Sequence, residues 1–185
     1  MPAALLPRAE VVARIQDVFR DRGFDGASLA EISNATGLGK SSLYHYFPGG
    51  KDEMAVAVLE RIDAWMNAHA LAALRKPGTP QQRLRAMLHV LDEFYVGGRN
   101  ACVLGNLVVG GSRAKFQDYL TTAFAGWIAA LRALAVEAGV RGPEAQQRAE
   151  DAVVRIEGAL IVAGGLADPA PFKRALRSIE RDLLA

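Results

Sequence analysis

Residues 28–51 read SLAEISNATGLGKSSLYHYFPGGK, and they carry the clearest structural signal in the chain. Ser28 stands three residues before Glu31, a spacing typical of a capping box at the start of a helix. Gly37 follows where a left-handed residue most easily ends that helix. A second helix is predicted from Lys40 to about Phe47. Two helices joined by so short a turn are typical of a helix-turn-helix, whose second helix enters the major groove of DNA.

The predicted second helix is polar around one apolar anchor, Leu43. Its donors and aromatic side chains need a polar partner, and nucleic acid is the natural one. Side chains near the start of a recognition helix reach base edges, those one turn later reach phosphates, and a cation at the next helix start forms a phosphate clamp. An alternative for each is a solvated residue or a cap. The predicted DNA contacts are Ser28, Lys40, Ser41, Ser42, Tyr44, His45 and Lys51.

The segment GLGKSSLYHYFPGGK, residues 37–51, resembles the recognition helix and following turn of the TetR family of bacterial transcriptional repressors. Ile15, Phe19 and Gly23–Phe24 fit the same pattern upstream. The resemblance implies a dimer that binds operator DNA. It places the matched residues where the family contacts DNA: Ser28, Lys40, Ser42, Tyr44, His45 and Lys51. The double glycine before Lys51 and the segment CVLGN, residues 102–106, are similar to the LmrA/YxaF-type branch.

Composition is that of an ordinary globular protein, with a net charge of only +2, so the case for DNA depends on where the donors lie. The single cysteine, Cys102, excludes an intrachain disulfide and favours a cytoplasmic location. We expect packing for this thiol, with redox sensing as the alternative. The N-terminal residues lack the pattern of a signal peptide. Because no run approaches ~18 uninterrupted apolar residues, no membrane span is expected.

Apolar residues recur at helical spacing throughout, without sustained alternation, which predicts an all-α fold of about nine helices. Residues 1–50 are predicted to form a three-helix DNA-binding head, and residues 51–185 an effector-binding and dimerisation body. The first long helix of the body would act as a lever between the two. The predicted helices cover residues 8–22, 28–37, 40–47, 51–74, 80–96, a short stretch within 99–112, 114–139, 144–163 and 169–184.

The body contains many large aromatic and Met side chains for helices of this length. They could line an apolar effector cavity or form an ordinary helical core. The family resemblance implies an inducer pocket in this region, and the composition favours a small hydrophobic effector. The candidate lining residues are Trp65, Met66, His69, Leu88, Leu91, Tyr95, Leu104, Asn106, Leu107, Phe116, Tyr119, Phe124 and Trp127.

Small residues on the late helices would allow close backbone approach, which suits a two-fold interface of paired helices. A protein that binds two half-sites of DNA also needs two copies of the DNA-binding head, and the resembled family dimerises. The alternative is that the same stripe packs only inside one protomer. The candidate interface residues are Ala152, Ile156, Ala159, Leu160, Ala163, Phe172, Leu176 and Ile179.

Catalytic and metal-binding signals are missing from the sequence. His45, His69 and His89 have no partner at metal-ligand spacing, and no nucleophile, phosphate or dinucleotide motif occurs. We therefore predict no enzyme activity, no cofactor and no metal. The predicted function is a ligand-responsive, DNA-binding regulator of transcription; the resemblance implies a repressor that leaves a pseudo-palindromic operator when a small hydrophobic molecule binds the body. Alternatives are a DNA-binding factor without an effector and an enzyme that uses His69 or His89.

Overall fold

The structure is a computed structural model that describes residues 6–185. Its regular elements are ten α-helices and two 3-10 helices, with no strand in the part of the chain described, which confirms the all-α prediction. The α-helices are α1 (Arg8–Gly26), α2 (Leu29–Thr36), α3 (Lys40–Tyr46), α4 (Gly50–Ala68), α5 (Ala70–Ala73), α6 (Pro80–Phe94), α7 (Val103–Val109), α8 (Gln117–Glu137), α9 (Gly142–Leu166) and α10 (Ala170–Asp182), and the 3-10 helices are Val96–Gly98 and Arg113–Phe116.

The chain divides into two compact units. The N-terminal unit contains the chain up to Asp63 together with Val103–Gln117, and the C-terminal unit contains Ala64–Cys102 and Asp118–Ala185. Helix α4 therefore contributes residues to both units. The compact units differ from the predicted functional division at residue 50, because α7 and the following 3-10 helix belong with the head.

Helix α1 supplies the core of the N-terminal unit through Val11, Ile15 and Phe19, which are all buried. The backbone leaves the helical conformation at Gly23, where φ is +67°, a value that glycine adopts without steric cost. Phe24 follows the break and is buried. Its ring centre lies 5.7 Å from that of Phe19, so the residue after the break returns to the core.

The predicted helix over residues 51–74 is interrupted in the structure. His69 has φ −117° and ψ −66° and separates α4 from the single turn of α5. The uncertain region 99–112 contains α7, whose Val103, Leu104 and Leu107 are buried. The predicted helix from residue 114 begins instead as a 3-10 turn, and the regular α-helix starts at Gln117.

The C-terminal unit is built on α6, α9 and α10. Helix α6 begins with a capping box between Thr79 and Gln82 and buries Leu84 and Leu91. Helix α10 packs along α9, and Phe172 is fully buried. Ion pairs between Arg155 and Asp182 (2.7 Å) and between Lys173 and Asp92 (2.6 Å) flank these apolar contacts.

Gly98 is required where the chain passes α10. Its φ is +95°, and a Cβ at this position would lie 2.5 Å from Cβ of Phe172. Both the backbone conformation and the space therefore exclude a side chain here. By contrast, a Cβ at Gly142 would meet no described atom within 4 Å, and its φ lies outside the left-handed range.

We predict that Gly98→Ala lowers the free energy of unfolding by at least ~2 kcal/mol, because overpacking and a left-handed alanine act together. Gly142→Ala is the matched control and should change it by less than ~1 kcal/mol. Urea unfolding followed by circular dichroism measures both. Equal midpoints for the two variants would contradict the close approach at Phe172.

Candidate nucleic-acid interface

The capping box predicted at the start of α2 is present. The amide of Ser28 donates to Oε2 of Glu31 (2.9 Å), and the amide of Glu31 donates to Oγ of Ser28 (3.2 Å). The backbone hydrogen bond from Ser28, followed by that from its side chain, holds the pKa of Glu31 below its ordinary value. Ser28 is exposed, so its hydroxyl caps the helix at the protein surface.

The turn between α2 and α3 is fixed by its own hydrogen bonds. Gly37 has φ +72°, and its amide donates to the carbonyl of Ser33 (2.9 Å). The hydroxyl of Ser33 donates to the carbonyl of Leu38 (2.6 Å), while the Leu38 amide donates to Oγ1 of Thr36 (3.3 Å). These bonds set the direction in which α3 leaves the turn.

Helix α3 is anchored by Leu43 and, just after its end, by Phe47, both of them buried. The hydroxyl of Tyr46 donates to the carbonyl of Leu6 (2.6 Å), and the guanidinium of Arg8 lies 5.0 Å from the centre of the Phe47 ring. Tyr46 and Phe47 thus hold the helix in place.

The other side of α3 is open. Lys40, Ser41, Tyr44 and His45 are exposed and Ser42 is half-buried. Their i, i+1, i+4 and i+5 spacing places the exposed side chains on one helical face. This face adjoins a shallow depression formed by the start of α2 and the turn before α4, with Tyr44 in its lining. The result is a rigid helix that presents a cation, hydroxyls and an imidazole outward.

Lys51 has partners within the protein. Its Nζ donates to the carbonyls of Phe24 and Ala27, each at 2.9 Å, and lies 4.5 Å from the centre of the Phe24 ring. The end of α1 leaves carbonyls without helical partners, and Lys51 satisfies them. The amide of Gly49 donates to Oε2 of Glu53 (2.8 Å). Lys51 and the Gly49 amide thus have partners within the protein, and the contact of Lys51 with a DNA phosphate stays a prediction.

Two known protein families match this chain, one in its N-terminal part and one in its C-terminal part. Residues 13–58 match the family described as bacterial regulatory proteins, tetR family. Residues 80–178 match the family described as transcriptional regulator LmrA/YxaF-like, C-terminal domain. The chain belongs to the TetR family. Both family descriptions are those of transcriptional regulators.

Individual TetR relatives are distant in sequence. The HTH-type transcriptional regulator LmrA of Bacillus subtilis is 25% identical over 85 residues, which are 46% of this chain and 45% of LmrA. The chain spans about half the length of the curated relatives it matches. The regulatory protein TetR from Rhodobacter sphaeroides superposes with a TM-score of 0.84 at 24% identity, over 96% of this chain and 98% of that one.

A third relative was solved with DNA. The regulator CifR, as a cysteine mutant in complex with 26-bp double-strand operator DNA, superposes with a TM-score of 0.76 at 20% identity, over 100% of this chain and 99% of that one. At such identities the two structural likenesses establish the TetR fold alone.

The predicted effector residues of this TetR-family chain do not form one cluster within one unit. Leu104, Asn106, Leu107 and Phe116 belong to the N-terminal unit. There Asn106 Nδ2 donates to the carbonyl of Arg20 (2.9 Å). In the C-terminal unit, Met66, Leu88, Leu91, Tyr95 and Trp127 are buried, Trp65 and Phe124 are half-buried, and His69 and Tyr119 are exposed.

An aromatic ladder in the C-terminal unit is the most distinctive group among these residues. The ring of Trp65 stacks on Phe94 at 4.1 Å with an interplanar angle of 26°, and His69 lies 5.0 Å from Trp65. Phe94 meets Tyr95 edge to face at 5.0 Å. Trp65 and Phe94 are half-buried, so flat apolar surface remains at the edge of this unit. We define Trp65, His69, Phe94 and Tyr95 as the aromatic ladder.

Most of the predicted interface residues are buried within the protomer, and their part in a dimer interface stays a prediction. All but the half-buried Ala159 are buried, where α9 packs on α10 and the core: Ala152, Ile156, Leu160, Ala163, Phe172, Leu176 and Ile179. The small residues allow the close approach of two helices, but both helices belong to the same chain. The exposed side of α9 carries other apolar residues, with Val154 69% and Ile161 67% exposed.

Glu157 on α9 is half-buried with its Oε1 atom enclosed, and the sequence pattern does not distinguish it from its neighbours. Burial raises its pKa to about 7, partly opposed by a hydrogen bond with the thiol of Cys102. Its Oε1 atom has no hydrogen-bond partner among the described residues. Cys102 is itself buried, and the hydroxyl of Tyr95 donates to its Sγ at 3.6 Å. In residues 6–185 no group of His, Cys, Asp and Glu could hold a metal ion.

The raised pKa of Glu157 makes stability depend on pH. The folded-state value of about 7 exceeds the ordinary value of 4.5, so folding favours the protonated acid. The contribution of this protonated acid to the free energy of unfolding is therefore fully present below pH 4.5 and is lost as the pH rises through 7. Glu157→Gln should raise the free energy of unfolding at pH 8 by an amount on the order of 3 kcal/mol, and change it little at pH 5.

Denaturant titrations at pH 5 and pH 8 measure this difference. The exposed Glu150 lies on the same helix, and Glu150→Gln serves as the control with the same change of charge. A gain at pH 8 that is equal in both variants would contradict a role for burial at Glu157.

Proposed function

We propose that the chain represses transcription as a homodimer that binds a pseudo-palindromic DNA operator and is released by a small hydrophobic effector. The observation that carries the proposal is the open face of α3, which presents Lys40, Ser41, Tyr44 and His45 from a helix anchored on its opposite side. The relative CifR, solved with operator DNA, supports the same use of the fold. The proposal places this protein in the cytoplasm.

Each exposed side chain of α3 has a distinct role in this proposal. Lys40 lies at the start of the helix and donates to guanine acceptors in the major groove, while Ser41 and Ser42 contact base edges. Tyr44, one turn later, donates its hydroxyl to a phosphate, and His45 contacts a phosphate or a base. Ser28 reaches a phosphate beside its capping bond. Lys51 acts chiefly through the carbonyls of Phe24 and Ala27, which it ties to the start of α4.

Dimerisation is proposed through the exposed apolar side of α8 and α9. Val136 on α8 and Val154, Ile161, Val162 and Leu166 on α9 are exposed apolar residues. The stretch Arg113–Glu137 is long and apolar enough to cross a membrane, yet only 28% of its most apolar window is buried. A second copy of the chain would cover this surface. It would also supply the second head that an operator with two half-sites requires, ~34–36 Å from the first.

Effector release is proposed as a population shift. Residues 51–185 would bind the effector at apolar surface such as the aromatic ladder, and residues 1–50 would bind DNA. The effector binds better to a conformation in which the two recognition helices no longer match successive major grooves. Its differential affinity for the two conformations, typically ~1–3 kcal/mol, sets the fall in DNA affinity. Helix α4 contributes residues to both units and supplies one covalent route for this coupling.

We predict that Lys40→Ala relaxes sequence preference at one operator position, with a loss of discrimination of about 1–3 kcal/mol. Tyr44→Phe should instead lower the affinity for all sequences, by about 1–3 kcal/mol of binding free energy, because it removes a phosphate contact. Fluorescence anisotropy with a set of single-base operator variants separates the two patterns. Lys76→Ala, at an exposed lysine of the C-terminal unit, controls for the loss of one positive charge. Unchanged DNA affinity and sequence preference in both α3 variants would contradict the proposal that this face of α3 contacts DNA.

We predict that Ile161→Arg converts the dimer into a monomer at micromolar concentration, because two-fold symmetry buries the unpaired charge twice. The dimer dissociation constant should rise at least ~100-fold. Sedimentation velocity measures it. Val109→Arg introduces the same charge at an exposed valine outside α8 and α9 and should leave the dimer intact. Equal dissociation by both variants, or by neither, would contradict this interface.

A further inference from the structure

Glu157 on α9 has an enclosed acceptor atom without a donor. Its Oε1 atom has no hydrogen-bond partner among the described residues. Burial raises its pKa to about 7, a hydrogen bond with Cys102 opposes this, and no charged group of the described residues contributes. Arg155, two residues earlier on α9, donates instead to Ser178 (3.1 Å) and Asp182 (2.7 Å). The carboxylate is therefore withdrawn from water without a counter-ion.

The polar groups beside Glu157 have already used their hydrogens. The hydrogen bond with Cys102 favours the ionised form of Glu157, so the thiol is the donor. The hydroxyl of Tyr95 donates in turn to Sγ of Cys102 at 3.6 Å. Tyr95 and Cys102 each carry one polar side-chain hydrogen, and both hydrogens are directed along this chain. Oε1 of Glu157 therefore needs a donor that these two residues do not supply.

The backbone between Tyr95 and Cys102 is strained. Val96, Gly97 and Gly98 have φ values of +49°, +68° and +95°. A β-branched residue rarely adopts the left-handed conformation, and such outliers cluster at ligand clamps and switch regions. The side chain of Val96 is 49% exposed. The turn Val96–Gly98 packs against α9, the helix of Glu157, so a relaxation of this strain would loosen the packing there.

The aromatic ladder leads to the same acid. Trp65 and Phe94 are half-buried and present flat apolar faces at the edge of the C-terminal unit. Contacts run from Trp65 through Phe94 and Tyr95 to Cys102, which donates to Glu157. All five residues belong to the C-terminal unit. An aromatic surface and an unmatched acceptor thus lie at the two ends of one continuous series of contacts.

We propose that the effector of this protein is an aromatic molecule that carries a protonated amine, with its rings on the aromatic ladder and its ammonium group donating to Oε1 of Glu157. The inference rests on the effector release in the proposed function and names the chemical class of the effector. The effector binds the conformation in which the turn Val96–Gly98 has relaxed and given access to Oε1. A cation is preferred to a neutral donor because it supplies both a hydrogen and the opposite charge that this carboxylate lacks.

Two probes of nearly equal shape separate charge from fit. Naphthylmethylamine is protonated at neutral pH, whereas the isosteric naphthylmethanol is neutral. We expect the wild-type protein to bind the amine roughly tenfold more tightly than the alcohol, because a charge-assisted hydrogen bond is the stronger one. Isothermal titration calorimetry measures both affinities.

Glu157→Gln keeps the shape of the side chain and an acceptor oxygen but removes the charge. It should bind the amine roughly tenfold more weakly than wild type and the alcohol equally well. The exposed Glu150 lies on the same helix, and Glu150→Gln should change neither affinity. Equal affinities of the wild-type protein for amine and alcohol, an amine preference that survives in Glu157→Gln, or no amine binding at millimolar concentration would overturn the proposal.

Trp65→Leu tests where the rings of the probes lie. This variant should weaken the amine and the alcohol by the same factor, because both probes share the aromatic frame. Circular dichroism verifies that each variant is folded. Unchanged affinity for both probes in Trp65→Leu would overturn the placement of the effector on the aromatic ladder.

The DNA readout is separate from the binding readout. Added to the wild-type protein on a duplex that this protein selects from random sequences, the amine should lower the DNA affinity, and at the same concentration it should not do so with Glu157→Gln. Amine binding that requires Glu157 but leaves the DNA affinity unchanged would overturn effector release in the proposed function and not the amine site. Selection of a duplex without any binding of the amine would overturn the amine site and leave the DNA-binding proposal standing.

Discussion

The N-terminal unit depends on the packing of one ring, that of Phe24. The ring of Phe24 packs against Phe19 of the same helix and against Phe116, which is distant in sequence. The ammonium group of Lys51 lies 4.5 Å from the centre of the same ring. A three-helix head of about 50 residues is only marginally stable alone. Phe116 supplies a further buried apolar contact, and the segment after α7 belongs to the unit that carries the reading helix.

The head was predictable because its signals are local. The capping box of Ser28 and Glu31 and the left-handed Gly37 each act over a few residues, and the structure contains both. The use of Lys51 was not predictable, since its partners are backbone carbonyls 24 and 27 residues away and no sequence pattern marks them. The same holds for the hydrogen bond between Asp25 and Ser112, which are 87 residues apart. Such pairs follow from tertiary packing.

The body illustrates a second limit of periodicity. The spacing of Ala152, Ile156 and Ala163 shows that one side of α9 is apolar, but it does not say whether the partner helix belongs to the same chain or to a copy. The structure fills that side with α10, and Val154 and Ile161 form a second apolar side that faces outward. A helix with two apolar sides is what a protomer needs when it has both a core and a partner. Glu157 carries no sequence signal either, because the burial of its carboxylate and its hydrogen bond with the Cys102 thiol arise from tertiary packing.

The central claim is that this protein reads DNA as a symmetric pair of recognition helices. In vitro selection from random duplexes with the purified full chain tests it most directly. The account predicts enrichment of one pseudo-palindrome whose half-sites are centred ~10 base pairs apart, with an affinity that falls steeply as salt is raised. Enrichment of no sequence over non-specific binding, or of a single asymmetric site bound by one protomer, would contradict it.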